Sequence, residues 1–312
     1  MPVIILSGCF LQSLHPLYTD KELIFEEKLI GKWSEDEGNL WEFREGEGKA
    51  YKMRVFDGKE AWFIAHLVEL EDMMFLDVYP DGETLEDMQD FYRMHLLPVH
   101  TFLKVDQIEP KLQLRTLDYE KVSDMLEEDP NLLKHEAVND GIVLTAPTKQ
   151  LQEFILKYAN EEDVFGEPME LTRRQPLYTD QDLIFDENLI GQWEGKDGKI
   201  LDSIRVEDYE AYDMTYVDED ETEYQCIANL VKLKGMVFLA LFSDESSLEY
   251  KDSCGSHLIP DYFVMVEQVE PILLLRHIEY DEVAEMLEGD PESLKQETTD
   301  TDCTFEGIRV QP

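Results

Sequence analysis

Phe25-Glu26-Glu27-Lys28-Leu29-Ile30-Gly31-Lys32-Trp33 recurs as Phe185-Asp186-Glu187-Asn188-Leu189-Ile190-Gly191-Gln192-Trp193, 160 positions further on (193 − 33). At the same spacing Pro16-Leu17-Tyr18-Thr19-Asp20 recurs as Pro176-Leu177-Tyr178-Thr179-Asp180. Later segments keep step: His95-Leu96-Leu97-Pro98 with His257-Leu258-Ile259-Pro260, Glu109-Pro110 with Glu270-Pro271, and Asp118-Tyr119-Glu120-Lys121-Val122 with Glu279-Tyr280-Asp281-Glu282-Val283. A period of this length exceeds any solenoid repeat and fits one independent domain, large enough to bury its own core. The 312 residues therefore read as one fold written twice. Copy one adds residues 147–174, for which copy two shows no counterpart in sequence. The boundaries that follow are a leader over 1–9, a first domain over 10–167, a linker over 168–174 and a second domain over 175–312.

After each Trp the pattern is that of strands. Trp41-Glu42-Phe43-Arg44 and Tyr51-Lys52-Met53-Arg54-Val55 alternate apolar and polar residues, the period of a sheet with one buried face. Glu45-Gly46-Glu47-Gly48 and Asp57-Gly58 supply turn residues between them. Residues 61–70 and 73–79 read as a hairpin through Glu71-Asp72, repeated as 224–233 and 236–242 through Lys234-Gly235. Strands over 101–105 and 112–117 complete a meander. Val122, Met125 and Leu126 then fall at helical spacing and Asp129-Pro130 stops the helix; Val283, Met286, Leu287 and Asp290-Pro291 repeat the device. A second helix in copy one covers 148–158, with Leu151, Phe154, Ile155 and Tyr158 on one face. Residues 20–29 read as a short helical lead-in. The fold class expected is mainly β with flanking helices, a tandem of antiparallel barrels or meanders, each followed by a helix.

Charge narrows the partners. The chain carries 27 Lys and Arg against 71 Asp and Glu, a formal charge of −44. Phosphate would be repelled, so nucleic acid is excluded as a partner. The hydrophobic content of 43% excludes general disorder. Cys226, Cys254 and Cys303 all belong to copy two, so the shared fold depends on no disulfide. No CxxC spacing points to zinc, and no cofactor or metal is expected.

Two resemblances bear on fold and address. Phe-x-x-x-Leu-Ile-Gly-x-Trp is similar to the opening of lipocalins, in which a short helical turn leads through Gly-x-Trp into the first barrel strand. Lipocalins stack a late Arg on that Trp. The resemblance assigns Gly31 and Trp33 with Arg115, and Gly191 and Trp193 with Arg276, as the groups closing each barrel base. It implies an interior that holds a small apolar ligand. Leu6-Ser7-Gly8-Cys9 resembles the lipobox of bacterial lipoproteins, with Cys9 as the lipidated residue. The whole chain resembles uncharacterised bacterial lipoproteins. That implies attachment to the cell envelope, at the outer membrane by Phe10 after Cys9, or a cytoplasmic protein if Met1 is the true start.

Signatures of known chemistry are missing from the sequence: no Gly-x-Ser-x-Gly, His-Glu-x-x-His, phosphate loop or dinucleotide fingerprint occurs. His95 and His257 recur before Leu-x-Pro and form the candidate polar site. His66 aligns with Asn229 and His100 with Tyr262, so shared chemistry does not rest on them. The function expected is a non-catalytic, lipid-anchored envelope protein binding a small apolar ligand or an envelope component. The alternatives are a scaffold that binds a protein through its acidic surface and a hydrolase or isomerase built on a His–carboxylate pair.

Overall fold

A computed structural model describes residues 11–35, 39–56, 60–82, 95–138, 141–161, 163–196, 198–206, 210–219, 221–242, 260–288 and 304–310. The chain divides into two units, Met1–Arg174 and Gln175–Pro312.

In the first unit β1 (Gln12–Ser13) and β2 (Leu23–Ile24) precede a meander. Its strands are β3 (Gly31–Ser34), β4 (Leu40–Glu45), β5 (Ala50–Phe56), β6 (Glu60–Leu70), β7 (Met73–Pro80), β8 (His100–Gln107) and β9 (Lys111–Thr116). Then come helix α1 (Tyr119–Glu128), the hairpin β10 (His135–Val138) and β11 (Gly141–Leu144), and helix α2 (Thr148–Tyr158). Last, β12 (Met169–Arg173) returns to lie antiparallel between β9 and β3. Each of β3 to β9 pairs with the next, and β12 joins the two ends, so eight strands form a closed ring.

The second unit repeats the ring. After β13 (Leu183–Ile184) the meander runs through β14 (Gly191–Gly195), β15 (Ile200–Arg205), β16 (Ala211–Val217), β17 (Glu223–Leu233), β18 (Met236–Phe242), β19 (Tyr262–Gln268) and β20 (Ile272–Ile278). Helix α3 (Tyr280–Glu288) follows, and β21 (Thr304–Arg309) closes the ring between β20 and β14. Closure leaves neither ring with an unpaired edge.

Alternation divides the apolar residues between two cores in each unit. Inward-facing positions from all eight strands of barrel one, among them Trp33, Phe43, Leu76, Leu114 and Leu171, form one cluster. The opposite face of β6, β7 and β8 presents Val68, Phe75 and Phe102, and α1 and α2 cover it with Val122, Leu126, Leu151 and Phe154. Barrel two has the same division, with Val283 and Met286 of α3 packed on Phe238 and Phe263. Burying each such side chain is worth about 1.5–3 kcal/mol. Asp118 caps α1 by accepting from the Lys121 backbone N–H at 2.8 Å, and α2 spans the residues its apolar stripe predicts. The hairpin turns fall where expected, with Glu71, Lys234 and Gly235 at positive φ.

Three sequence expectations are corrected. Residues 168–174 are not a linker: Met169–Arg173 is the strand that closes barrel one. Its short alternation, Met169, Leu171 and Arg173 on one face, is interrupted by Glu170 and Thr172 on the other. The added segment 147–174 therefore has a partial counterpart in copy two, because Thr304–Arg309 does the same work. Residues 20–29 form no α-helix. They are the two-residue β2, paired with β6, and a 3-10 turn over Glu27–Leu29. In both copies the acid three residues after the repeated Thr accepts from that Thr's backbone N–H, Glu22 and Asp182 each at 2.8 Å. This local bond supplies the helix-like signal. The hairpin β10–β11, in the stretch between the two expected helices, was also not anticipated.

Candidate functional site

One end of each barrel is sealed by the repeated kernel. In barrel one the 3-10 turn is tied to the strands by several hydrogen bonds. Trp33 Nε1 donates to Leu29 O at 3.0 Å, and Glu26 N donates to Tyr51 Oη at 2.7 Å. Arg173 donates to Lys28 O at 2.8 Å and to Ile30 O, and its guanidinium lies 5.1 Å from the Trp33 ring centre. Phe25 stacks on Tyr51 at 4.9 Å. Barrel two repeats these parts, apart from the bond to Ile30 O. Trp193 Nε1 donates to Leu189 O at 3.5 Å, Asp186 N to Tyr212 Oη at 2.7 Å, and Arg309 to Asn188 O. Arg309 lies 4.7 Å from the Trp193 ring centre, and Phe185 stacks on Tyr212 at 4.9 Å. Trp33 and Trp193 are fully buried. Burial pushes the Tyr51 and Tyr212 hydroxyls up to about 12.

The glycine of Gly-x-Trp is required by this seal. Gly31 and Gly191 have φ of +135° and +130°, where a side chain is strained. At Gly31 an added Cβ would also lie 3.0 Å from Arg173 Nη2.

The arginines over the tryptophans are not those the sequence suggested. Arg115 and Arg276 follow Leu114 and Leu275, which point inward, so alternation turns both arginines outward. Arg115 pairs with Asp106 and donates to Gly166 O at 3.1 Å; Arg276 pairs with Glu267 at 3.1 Å. The inward phase of Leu112 and Leu114 was the signal that could have excluded them. Arg173 and Arg309 escaped notice because they lie 136 positions apart (309 − 173), out of step with the 160-residue offset of the kernel.

At the end away from the seal, inward-facing residues meet water. In barrel one Trp41, Val55, Phe63, Thr101 and Met169 are half-buried although their side chains face the interior. In barrel two Tyr216, Cys226, Tyr262, His277 and Phe305 are half-buried in the same sense, and Tyr224 is 52% exposed. Desolvation raises the Cys226 thiol to about 12, keeping it neutral. Each barrel thus has a buried, hydrogen-bonded floor and a partly exposed mouth that carries aromatic side chains.

The candidate histidines do not form a site. His95 is exposed, and His257 lies outside the described residues, as does Cys9. The close His–carboxylate contact is His100 Nδ1 to Asp77 Oδ1, 2.6 Å, on the outer face of barrel one. Asp77 is buried, and its other oxygen accepts from Leu17 N at 2.7 Å. It thereby fastens the Pro-Leu-Tyr-Thr-Asp segment to the barrel. His66, on the neighbouring strand, packs on Tyr18 at 4.6 Å; burial lowers its pKa. Strand register matches His66, Asp77 and His100 with Asn229, Ala240 and Asp261 of copy two. His100 therefore corresponds to Asp261, not to Tyr262, and copy two, with Ala240 in place of Asp77, does not repeat this pair at the matching positions. A groove of about 360 Å³ beside Arg115, lined by Lys104, Asp106, Glu161 and Phe165, holds charges that already pair, Lys104 and Arg115 with Asp106. Among the described residues no three His, Cys, Asp or Glu side chains are placed to hold a metal ion, and no helix is long and apolar enough to cross a membrane.

Comparison with protein-family models, with curated proteins and with solved structures gave no match.

Proposed function

We propose that this chain is a non-catalytic binding protein that takes a small apolar ligand into a barrel interior through the mouth opposite the Trp–Arg seal. The observation that carries the reading is the contrast between the two ends. Trp33 and Trp193 are fully buried at the base, while inward-facing aromatics at the other end remain in contact with water. A concave apolar interior with a few polar groups and one entrance is what a small-molecule site requires. The lipocalin resemblance supports it, since the Trp–Arg pair and the 3-10 turn answer that family's closed base. Attachment to the cell envelope through a lipid on Cys9 is part of the proposal and rests on Leu6-Ser7-Gly8-Cys9.

The test is titration of the full chain with Nile red, a neutral fluorophore, in parallel with Trp41→Ala and Tyr216→Ala. Saturable binding, weakened by substitution at a mouth, supports the reading. Binding that neither substitution changes places the dye elsewhere and overturns it. The acidic-scaffold alternative predicts instead a partner captured from envelope extract and released by salt.

A further inference from the structure

The two interiors can be compared position by position, because strand register aligns them independently of sequence spacing. The floor hardly changes: Tyr51, Ala65, Leu67, Leu76 and Leu112 correspond to Tyr212, Ala228, Leu230, Leu239 and Leu273. One cross-strand row changes sharply. In barrel one it runs Gly31, Phe43, Met53, Phe63, each residue paired with the next. In barrel two it runs Gly191, Ser203, Met214, Cys226. Two phenyl rings are replaced by a hydroxyl and a thiol.

The change leaves a buried hydroxyl without a partner and space beside it. Ser203 is 1% exposed, and its Oγ has no hydrogen-bond partner among the described residues. Burying a hydroxyl without a partner costs free energy that a ligand group can recover. Beside it, a Cβ added to Gly191 would meet nothing within 4 Å, whereas at Gly31 it meets the Arg173 guanidinium. Aromatic side chains gather instead at other positions around the mouth. Trp41, Val55 and Ala61 become Leu201, Tyr216 and Tyr224, while Thr101, Thr116 and Met169 become Tyr262, His277 and Phe305. Phe305 folds back over Gly307, its ring 2.5 Å from where a Cβ there would lie, and so takes the place of Leu171 in barrel one. No carboxylate stands on the inward face among the described residues of barrel two, and its inward arginines, Arg205 and Arg309, lie over Phe185 and Trp193, so a cationic ligand group would be desolvated with nothing to neutralise it and an anionic one would have to draw an arginine off its ring.

We infer that barrel two is the specialised binding copy, and that it takes a neutral molecule with an aromatic body and one hydroxyl or carbonyl group, which hydrogen-bonds to Ser203 Oγ. Barrel one, with Phe43 and Phe63 in the same row, is the packed copy. The inference rests on the barrel interior being a ligand site. The aromatic body stacks among Tyr216, Tyr262 and Phe305, and the thiol of Cys226 adds a soft neutral wall.

The test uses naphthol and methylnaphthalene, two probes of similar shape of which only the first can hydrogen-bond, in equilibrium dialysis with the full chain. Naphthol is expected to bind at one site per chain. The double substitution Ser203→Phe with Cys226→Phe transplants the row of barrel one and should weaken naphthol at least tenfold, with the circular dichroism spectrum unchanged. Ser203→Ala, which alters almost no volume, should weaken naphthol about tenfold, the worth of one hydrogen bond, and leave methylnaphthalene unaffected. If neither probe binds, the ligand reading itself fails. If naphthol binds at one site and the double variant retains it, the assignment to barrel two fails while the ligand reading stands. Equal loss of both probes in Ser203→Ala overturns the hydrogen bond.

Discussion

Replacing Arg173 by Met should destabilise barrel one more than replacing Arg115 by Met, although Arg115 is the residue that the sequence resemblance assigns as the stacking arginine. Arg173 donates to Lys28 O and Ile30 O and stacks on Trp33. A hydrogen bond from a charged donor contributes about 1.5–3 kcal/mol when buried, and partial exposure of the guanidinium reduces each to about 1 kcal/mol. The cation–π contact adds about 0.5–1 kcal/mol, giving a loss of about 2–3 kcal/mol. Arg115 pairs with Asp106 and donates to Gly166 O at 3.1 Å, contacts worth together about 1–1.5 kcal/mol at this partial exposure. Urea unfolding of the full chain, followed by tryptophan fluorescence, reads the difference. Three of the four tryptophans, Trp33, Trp41 and Trp62, belong to barrel one and Trp193 to barrel two. With a slope of about 2 kcal/mol per molar urea, Arg173→Met lowers the barrel-one midpoint by about 1–1.5 M. A midpoint shift in Arg115→Met as large as that in Arg173→Met would refute the base-closure assignment.

Four further outcomes follow from the same geometry. Leu171 is fully buried on the closing strand, so Leu171→Ala should cost about 2–5 kcal/mol by cavity formation; a loss below about 0.5 kcal/mol would mean that 168–174 is a linker after all. Tyr51 and Tyr212 titrate near 12 in the folded chain, above about 10 in the unfolded one. Their stabilising contribution is thus complete below pH about 10 and lost as pH rises towards about 12. Tyrosinate absorbance should show both hydroxyls resisting ionisation until unfolding, and early titration of every tyrosine contradicts their burial. The Cys226 thiol, raised to about 12 by burial, should react with iodoacetamide at neutral pH at least tenfold more slowly in the folded than in the urea-unfolded chain; equal rates by peptide mass spectrometry would disprove its neutral, enclosed setting. Asp77→Ala leaves Leu17 N without its acceptor and should cost about 1–3 kcal/mol, with protease nicking near Leu17 as the visible sign; an unchanged digestion pattern would sink the clamp.

Much of the fold is legible in the chain because each copy repeats the local signals. The Gly-x-Trp kernel and the Glu71-Asp72 and Lys234-Gly235 turns mark the same elements twice, and Asp129-Pro130 ends the helix of copy one, Asp290-Pro291 lying outside the described residues. The closing strands β12 and β21 are not legible in this way. Each is five or six residues long and separated from its barrel by segments of unequal length, so neither period nor composition ties it to the ring. The same concealment misplaced the arginines: Arg115 and Arg276 satisfy the repeat spacing, but the phase of Leu114 and Leu275 turns them outward. The candidate pocket was hidden for a different reason. Sequence alignment weighs what both copies keep, whereas Ser203 and Cys226 matter as departures from Phe43 and Phe63, and only strand register shows that these four occupy one row. The copies' histidines likewise misled, since His95 repeats in sequence and is exposed, while the unrepeated His100 meets Asp77.

The most direct test of a sealed barrel with a selective interior is a crystal structure of the full chain at saturating naphthol. The account predicts density for the ring system inside barrel two, its hydroxyl within hydrogen-bond distance of Ser203 Oγ and its body against Tyr216 and Phe305, with barrel one unchanged. Naphthol found on an outer face, or an interior of barrel two closed by its own side chains, would contradict it.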